Sequence, residues 1–87
     1  MAEVEVGRVN KFFGKVSVAA VEVTNESIKV GDQLHFKGAT TDFTIEVESM
    51  QIDRVPVEEA EPGDLVGIKV PERVRPGDKV YRVEEEE

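Results

Sequence analysis

The chain has no cysteine, no tryptophan and one histidine among its 87 residues. Without cysteine there is no disulfide framework, no thiolate metal site and no cysteine nucleophile. One histidine and no cysteine fall below the usual zinc donor set. The longest apolar run, Val18 to Val21, is far short of the roughly 20 residues that cross a bilayer as a helix. The opening Met1-Ala2-Glu3-Val4-Glu5 has neither a basic n-region nor an apolar h-region, so no signal peptide is expected, and the expected setting is soluble and cytoplasmic. Neither the phosphate-loop nor the dinucleotide glycine pattern occurs, so this chain alone is not expected to bind GTP or hydrolyse nucleotides. No calcium-loop spacing is present, and no metal or other cofactor is expected.

The net charge is -8, from 19 acidic and 11 basic residues. Four of the acids are Glu84 to Glu87, which leaves residues 1–83 at 15 acids against 11 bases, or -4. The division expected is therefore a single domain over 1–83 and a self-repelling, disordered acidic tail over 84–87. An acidic whole argues against broad grip on nucleic acid, although a small basic face remains compatible with it.

Valine occurs 16 times and isoleucine 4 times, against 2 leucines and 5 alanines, a mix that suits pleated surfaces better than helices. The 34% charged residues with only 2 Asn and 2 Gln also resemble a thermophile composition. Short alternating runs are cut by Gly, Pro and Asp. Strands are expected over Glu3–Val9, Lys15–Val23, Gln33–Lys37, Phe43–Glu48, Leu65–Val70 and Lys79–Val83, with Ile28-Lys29-Val30 leading into the Gly31-Asp32 turn and Val55–Val57 extended. Asn10–Gly14 reads as a loop carrying two phenylalanines, and Glu58-Glu59-Ala60 as one helical turn. The apolar phase slips at Ala20-Val21, which predicts a β-bulge there.

Three turns share one chemistry: Val30-Gly31-Asp32, Pro62-Gly63-Asp64 and Pro76-Gly77-Asp78. Glycine supplies the positive φ of a type II turn, and proline presets the residue before it. The architectural reading of Gly31, Asp32, Gly63, Asp64, Gly77 and Asp78 outweighs a metal site, because nothing in the spacing gathers the aspartates. Many short, bulged strands in so short a chain predict an all-β fold, a small closed antiparallel β-barrel of six or seven strands, with a two-sheet sandwich as the alternative.

Catalytic constellations are not found. His35 lies between Leu34 and Phe36, so alternation turns it to the outer face, and no motif pairs it with Ser17, Ser27 or Ser49. Glu3/Glu5 and Glu46/Glu48 alternate with apolar residues as a solvated strand face does, and Glu58/Glu59 are adjacent. The chain is expected not to be an enzyme. Two features point to binding. Lys11-Phe12-Phe13-Gly14-Lys15 beside Arg8 interleaves bases with aromatics, as loops that stack a base and contact phosphate do; the competing reading turns one ring into the core. Arg54, Arg73, Arg75 and Arg82 could form a basic edge, or serve as surface ion pairs.

The runs Ile28-Lys29-Val30-Gly31-Asp32-Gln33-Leu34, Glu48-Ser49-Met50, Glu59-Ala60-Glu61-Pro62-Gly63-Asp64-Leu65-Val66-Gly67-Ile68 and Val74-Arg75-Pro76-Gly77-Asp78-Lys79-Val80 occur in that order. Together they resemble the second, β-barrel domain of translational GTPases of the elongation factor Tu type. They also resemble the C-terminal domain of collagenase-like peptidases. Short stand-alone proteins of this kind are named translation elongation factor-like. The resemblance implies a translation-protein barrel that docks on RNA (a transfer RNA end or the ribosome) or on a ribonucleoprotein. It places Arg54 at the family's basic position, with Arg8, Lys11, Phe12, Lys15, Arg73 and Arg75 as further contacts. The alternative it implies is an accessory domain serving a separate peptidase-like or GTPase protein. Ala20-Val21-Glu22-Val23-Thr24-Asn25 departs from the family's glycine-rich aminoacyl segment.

Overall fold

The computed structural model describes residues 2–84. Ten strands run in chain order: β1 Ala2–Phe13, β2 Val18–Val23, β3 Ile28–Lys29, β4 Gln33–Lys37, β5 Asp42–Glu46, β6 Met50–Ile52, β7 Val55–Val57, β8 Glu59–Ala60, β9 Leu65–Lys69 and β10 Lys79–Glu84. Eight form one antiparallel sheet in the order β5-β4-β10-β1-β2-β9-β6-β7, and β3 pairs with β8 in a two-stranded ribbon. The all-β expectation holds. The closed six- or seven-stranded barrel does not: no ladder joins the edge strands β5 and β7, and the segments are more numerous and shorter.

The sheet is rolled rather than flat. Leu34 and Phe36 of β4 and Met50 of β6 stand near opposite ends of the strand order, yet all three belong to one buried cluster. Val6, Val9, Val21, Val23, Val66, Ile68 and Val80 fill it from the central strands, and Phe43 stacks on Phe36 with ring centroids 5.1 Å apart. Between the two edges, Val30 N–H donates to the Glu58 carbonyl and Gly31 N–H to the Val47 carbonyl. The β3–β8 ribbon thus bridges the seam by turns and single bonds where a barrel would have a ladder. Pro56 on edge strand β7 removes a donor that another chain would pair with.

Two bulges in β1 make the roll. One lies between Glu5 and Gly7 against β10, the other between Val9 and Lys11 against β2. An extra residue on one strand bends it and increases its twist. The phase slip expected at Ala20-Val21 does not occur on β2, which alternates regularly against β9; the bulge opposite it is on the facing strand, where Val9 pairs Val21, Lys11 pairs Ala20, and Asn10 has no partner. The expected loop over Asn10–Gly14 is likewise strand as far as Phe13, because Phe12 and Phe13 pair with Ala19 and Val18. Glu59-Ala60 is strand and not a helical turn, since it pairs with Ile28-Lys29.

The three Gly-Asp turns are one device used three times. Gly31, Gly63 and Gly77 have φ of 98°, 99° and 95°, which explains glycine there. In each turn the aspartate Oδ2 accepts the backbone N–H three residues back: Lys29 (2.9 Å), Glu61 (2.9 Å) and Arg75 (3.0 Å). Each turn also clamps a buried valine distant in the chain, in β1, at the end of β2, or just after β5. The glycine N–H donates to that valine's carbonyl, and the valine's N–H donates to the aspartate carbonyl. Gly31 and Asp32 hold Val47, Gly63 and Asp64 hold Val23, and Gly77 and Asp78 hold Val9, at 2.8–2.9 Å. Because each clamp satisfies a core valine's backbone donor and acceptor where the ladder is interrupted, it prevents a costly unpaired polar group.

Glu84, expected in the tail, is the last residue of β10; Glu85–Glu87 lie outside the described residues. Among the described residues no helix is long and apolar enough to cross a membrane.

Candidate functional site

Strand alternation decides what the outer face carries. On β1, Lys11 and Phe13 point outward, whereas Phe12 packs against the core. Phe12 is thus the half-buried ring that packs on the core, the arrangement of the competing reading, while Phe13 is exposed. On β2 the outward residues are Val18, Ala20 and Glu22, and on β9 they are Leu65, Gly67 and Lys69, which meet in the pairs Val18–Lys69, Ala20–Gly67 and Glu22–Leu65. Val66 and Ile68 alternate inward, as the sequence predicts.

These residues form a shallow groove of about 670 Å³. Its floor is Ala20 and Gly67, and its walls are Phe13, Val16, Val18, Ile52, Leu65 and Arg54. Arg54 reaches it from the β6–β7 turn, where Asp53 and Arg54 both take positive φ (52° and 65°). Lys11 Nζ lies 5.1 Å from the Phe13 ring centroid, a cation–π contact. Lys15 is exposed in the β1–β2 turn.

The other candidate bases are placed differently. Arg8 pairs with Glu22 at 3.6 Å. Arg73 and Arg75 flank the buried Val74, exposed in the loop before β10, and the Arg75 backbone begins the third clamp. Arg82 is a structural tie. Its guanidinium donates to Glu84 (2.6 Å), to Glu26 (2.8 Å) and to the Ser27 carbonyl (2.9 Å); Glu84 first and then Glu26 raise its pKa against the opposing effect of burial. The bases thus do not gather into one edge: Arg54 lines the groove, Lys11 lies over its wall residue Phe13, and Arg8 and Arg82 are held in ion pairs.

His35 has a partner set that alternation could not show. Its Nδ1 is 2.9 Å from Glu3 Oε2 and its Nε2 is 2.5 Å from Asp42 Oδ1, with Tyr81 of β10 at 6.3 Å between ring centroids. Both ring nitrogens are donors only in the cation. The hydrogen bond to Asp42 raises the pKa most, partial burial opposes it, and the bond to Glu3 raises it further. With both nitrogens engaged by carboxylates and no serine bonded to the ring, the imidazole is arranged as a staple of β1, β4 and β5. A folded pKa above the unfolded 6.5 means the staple's contribution is complete below 6.5, down to the general carboxylate range near pH ~4, and is lost as pH rises through the folded value. Urea midpoints measured between pH 5 and 9 should fall with rising pH in the native chain and lose that slope in His35→Gln. An unchanged slope would remove the staple.

Among the described residues no cluster of three or more His, Cys, Asp or Glu is placed to hold a metal. Asp32, Asp64 and Asp78 are each spent on their own turn.

No protein-family model matches the chain. Over 84 residues it is 44% identical to an uncharacterized protease of Methanocaldococcus jannaschii, a match covering 95% of this chain and 20% of the protease. Over 86 residues it is 35% identical to a collagenase of Porphyromonas gingivalis, covering 98% of this chain and 21% of the collagenase. The chain spans about one fifth of the length of the curated relatives it matches. Among solved structures, the C-terminal domain of a U32 peptidase of Geobacillus thermoleovorans superposes with a TM-score of 0.85 at 22% identity, over 94% of this chain and 93% of that domain. These relatives bear out the collagenase-like half of the resemblance. They overturn the translation, protein-biosynthesis and RNA-binding expectation, because the matched proteins are peptidases and collagenases and not elongation factors.

Proposed function

We propose that the chain is a non-catalytic accessory domain of a peptidase-like protein, acting through protein contacts. The carrying observation is the asymmetry of the matches. Nearly all of this chain aligns with only a fifth of each curated relative, and the same fold stands alone as the C-terminal domain in the Geobacillus structure. A module of that kind is a separable unit with its own core, and its chemistry here fits the role. The single imidazole is held between two carboxylates, with no nucleophile for it to activate. Hydrolysis is thereby assigned to the remaining four fifths of such a protein.

The purified chain is expected to release no peptides from gelatin or casein. The Porphyromonas collagenase lacking its matched segment is expected to lose turnover of protein substrates. Turnover by the isolated chain, or full activity of the shortened collagenase, would overturn the reading.

A further inference from the structure

We propose that the outer face of β1, β2, β6 and β9 is the docking surface of this domain, and that it takes an acidic protein segment presenting a large apolar side chain. The inference rests on the accessory-domain reading and adds the surface and the chemistry of the partner.

The apolar part of the surface is unusual for a strand face turned to solvent. Of the five exposed large hydrophobics among the described residues, Phe13 (44% exposed), Val16 (59%) and Leu65 (49%) line the one groove. The opposite sides of the same strands already supply the core, through Val21, Val66 and Met50, so the groove residues are not needed there. Contiguous apolar area at the surface marks an interaction site. The shape is specific as well. Ala20 and Gly67 face one another across the β2–β9 ladder, and this floor of two small residues leaves a depression between Phe13 and Val16 on one side and Leu65 on the other. A Cβ on Gly67 would meet Val18 Cγ1 at 3.3 Å, so any side chain there fills the floor.

Charge selects the partner. In a chain of net charge -8, Arg8, Lys29, Lys79 and Arg82 have acidic partners. Lys11, Lys15, Lys37, Arg54, Lys69, Arg73 and Arg75 form no ion pair among the described residues; of these Arg54 lines the groove, Lys11 and Lys69 are the outer-face ladder partners of Ala20 and Val18, and Lys15 precedes the groove residue Val16. Asp53 and Asp64 also line it, but Asp64 is bonded to the Glu61 N–H. An apolar centre with unpaired cations at its rim fits an apolar anchor flanked by carboxylates. Nucleic acid fits less well. The centre is mostly aliphatic, the Phe13 ring already carries Lys11, and phosphates would meet the field of a strongly acidic chain.

The test uses the isotopically labelled chain with three probes: a twelve-residue peptide alternating leucine and glutamate, its leucine–lysine counterpart, and an oligouridylate of equal length. The Leu–Glu peptide is expected to shift the amide resonances of Phe13, Val16, Ala20, Leu65 and Gly67, and to bind about tenfold more tightly than the Leu–Lys peptide, the ratio one good charge pair supplies. Gly67→Val fills the floor without changing charge, and Leu65→Glu makes a wall acidic; each should abolish the shifts. Val30→Glu, away from the groove, should leave them intact. Lys11→Glu with Lys69→Glu should erase the tenfold preference while the spectrum stays dispersed. Equal or tighter binding of the Leu–Lys peptide or the oligouridylate, shifts on another face, or no binding at millimolar peptide would overturn the proposal. Deletion of the matched segment from the collagenase tests the accessory reading without touching the groove. A positive deletion with a silent groove would therefore refute this surface alone.

Discussion

Asp78→Ala is expected to destabilise the chain by about 2–4 kcal/mol, against roughly 1 kcal/mol or less for Asp32→Ala or Asp64→Ala. All three aspartates make the same turn, so local chemistry alone would rank them equal. The difference lies in what surrounds the third. Asp78 is 8% exposed and Thr41 4% exposed, and Thr41 Oγ1 donates to Asp78 Oδ2 at 2.6 Å, the same oxygen that accepts the Arg75 N–H at 3.0 Å. Removing the carboxylate strands a buried hydroxyl and a backbone amide together, and a buried donor left unpaired costs its full desolvation. The carboxylate also fills the space over Gly38, where an added Cβ would collide with it. Urea denaturation of the three variants gives the ranking. Thr41→Val combined with Asp78→Ala should cost less than the sum of the two singles, because the double variant strands fewer groups. Equal losses at positions 32, 64 and 78 would show that the buried partner contributes nothing.

Gly7→Ala is expected to cost about 3 kcal/mol or more, a large part of the ~5–10 kcal/mol that holds a small domain together. Gly7 is where β1 passes from its partner β10 to its partner β2, pairing Val80 on one side and Val23 on the other. A methyl group there would collide with the Glu22 carbonyl oxygen and come within 3.1 Å of Val21 Cγ1. The first obstacle is backbone in a strand bonded on both sides, which cannot swing away as a side chain does. Gly14→Ala is the control: its Cβ would meet only Phe12 Cε2, at 3.7 Å, an ordinary contact. Thermal unfolding should leave Gly14→Ala close to the native chain and bring Gly7→Ala down sharply or out of solution. Comparable midpoints for the two would mean that the sheet relaxes at the crossing.

Much of the fold was legible because it is local. Alternation placed Leu34, Phe36, Val66, Ile68 and Val70 inward and His35 on the outer face, since side chains on a strand alternate whatever the strand pairs with. The three Gly-Asp turns follow from the φ that glycine alone adopts cheaply and from an aspartate bonding its own turn. The apolar run at Ala20-Val21 pointed to a bulge at the right place in the ladder but on the wrong strand, because Ala20 is small enough to stay outward without breaking the alternation of β2.

Pairing is a different matter, because it joins residues far apart in the chain. Nothing near Ala20 says that the extra residue is Asn10 on the neighbouring strand. Nothing near Gly63 says that Val23 is the valine it clamps. His35 between two neighbours on one strand gives no hint of Glu3 and Asp42. The sequence left open which of the Phe12 and Phe13 rings enters the core, and only the roll of the sheet, which fills the interior with other valines, leaves Phe13 outside with Val16 and Leu65 around a glycine floor. Side-chain direction and turn geometry are short-range steric properties, fixed within a few residues. Which edges meet, which cations find carboxylates and which apolar groups remain exposed depend on burying one shared core, and that competition is settled only when the whole chain has packed.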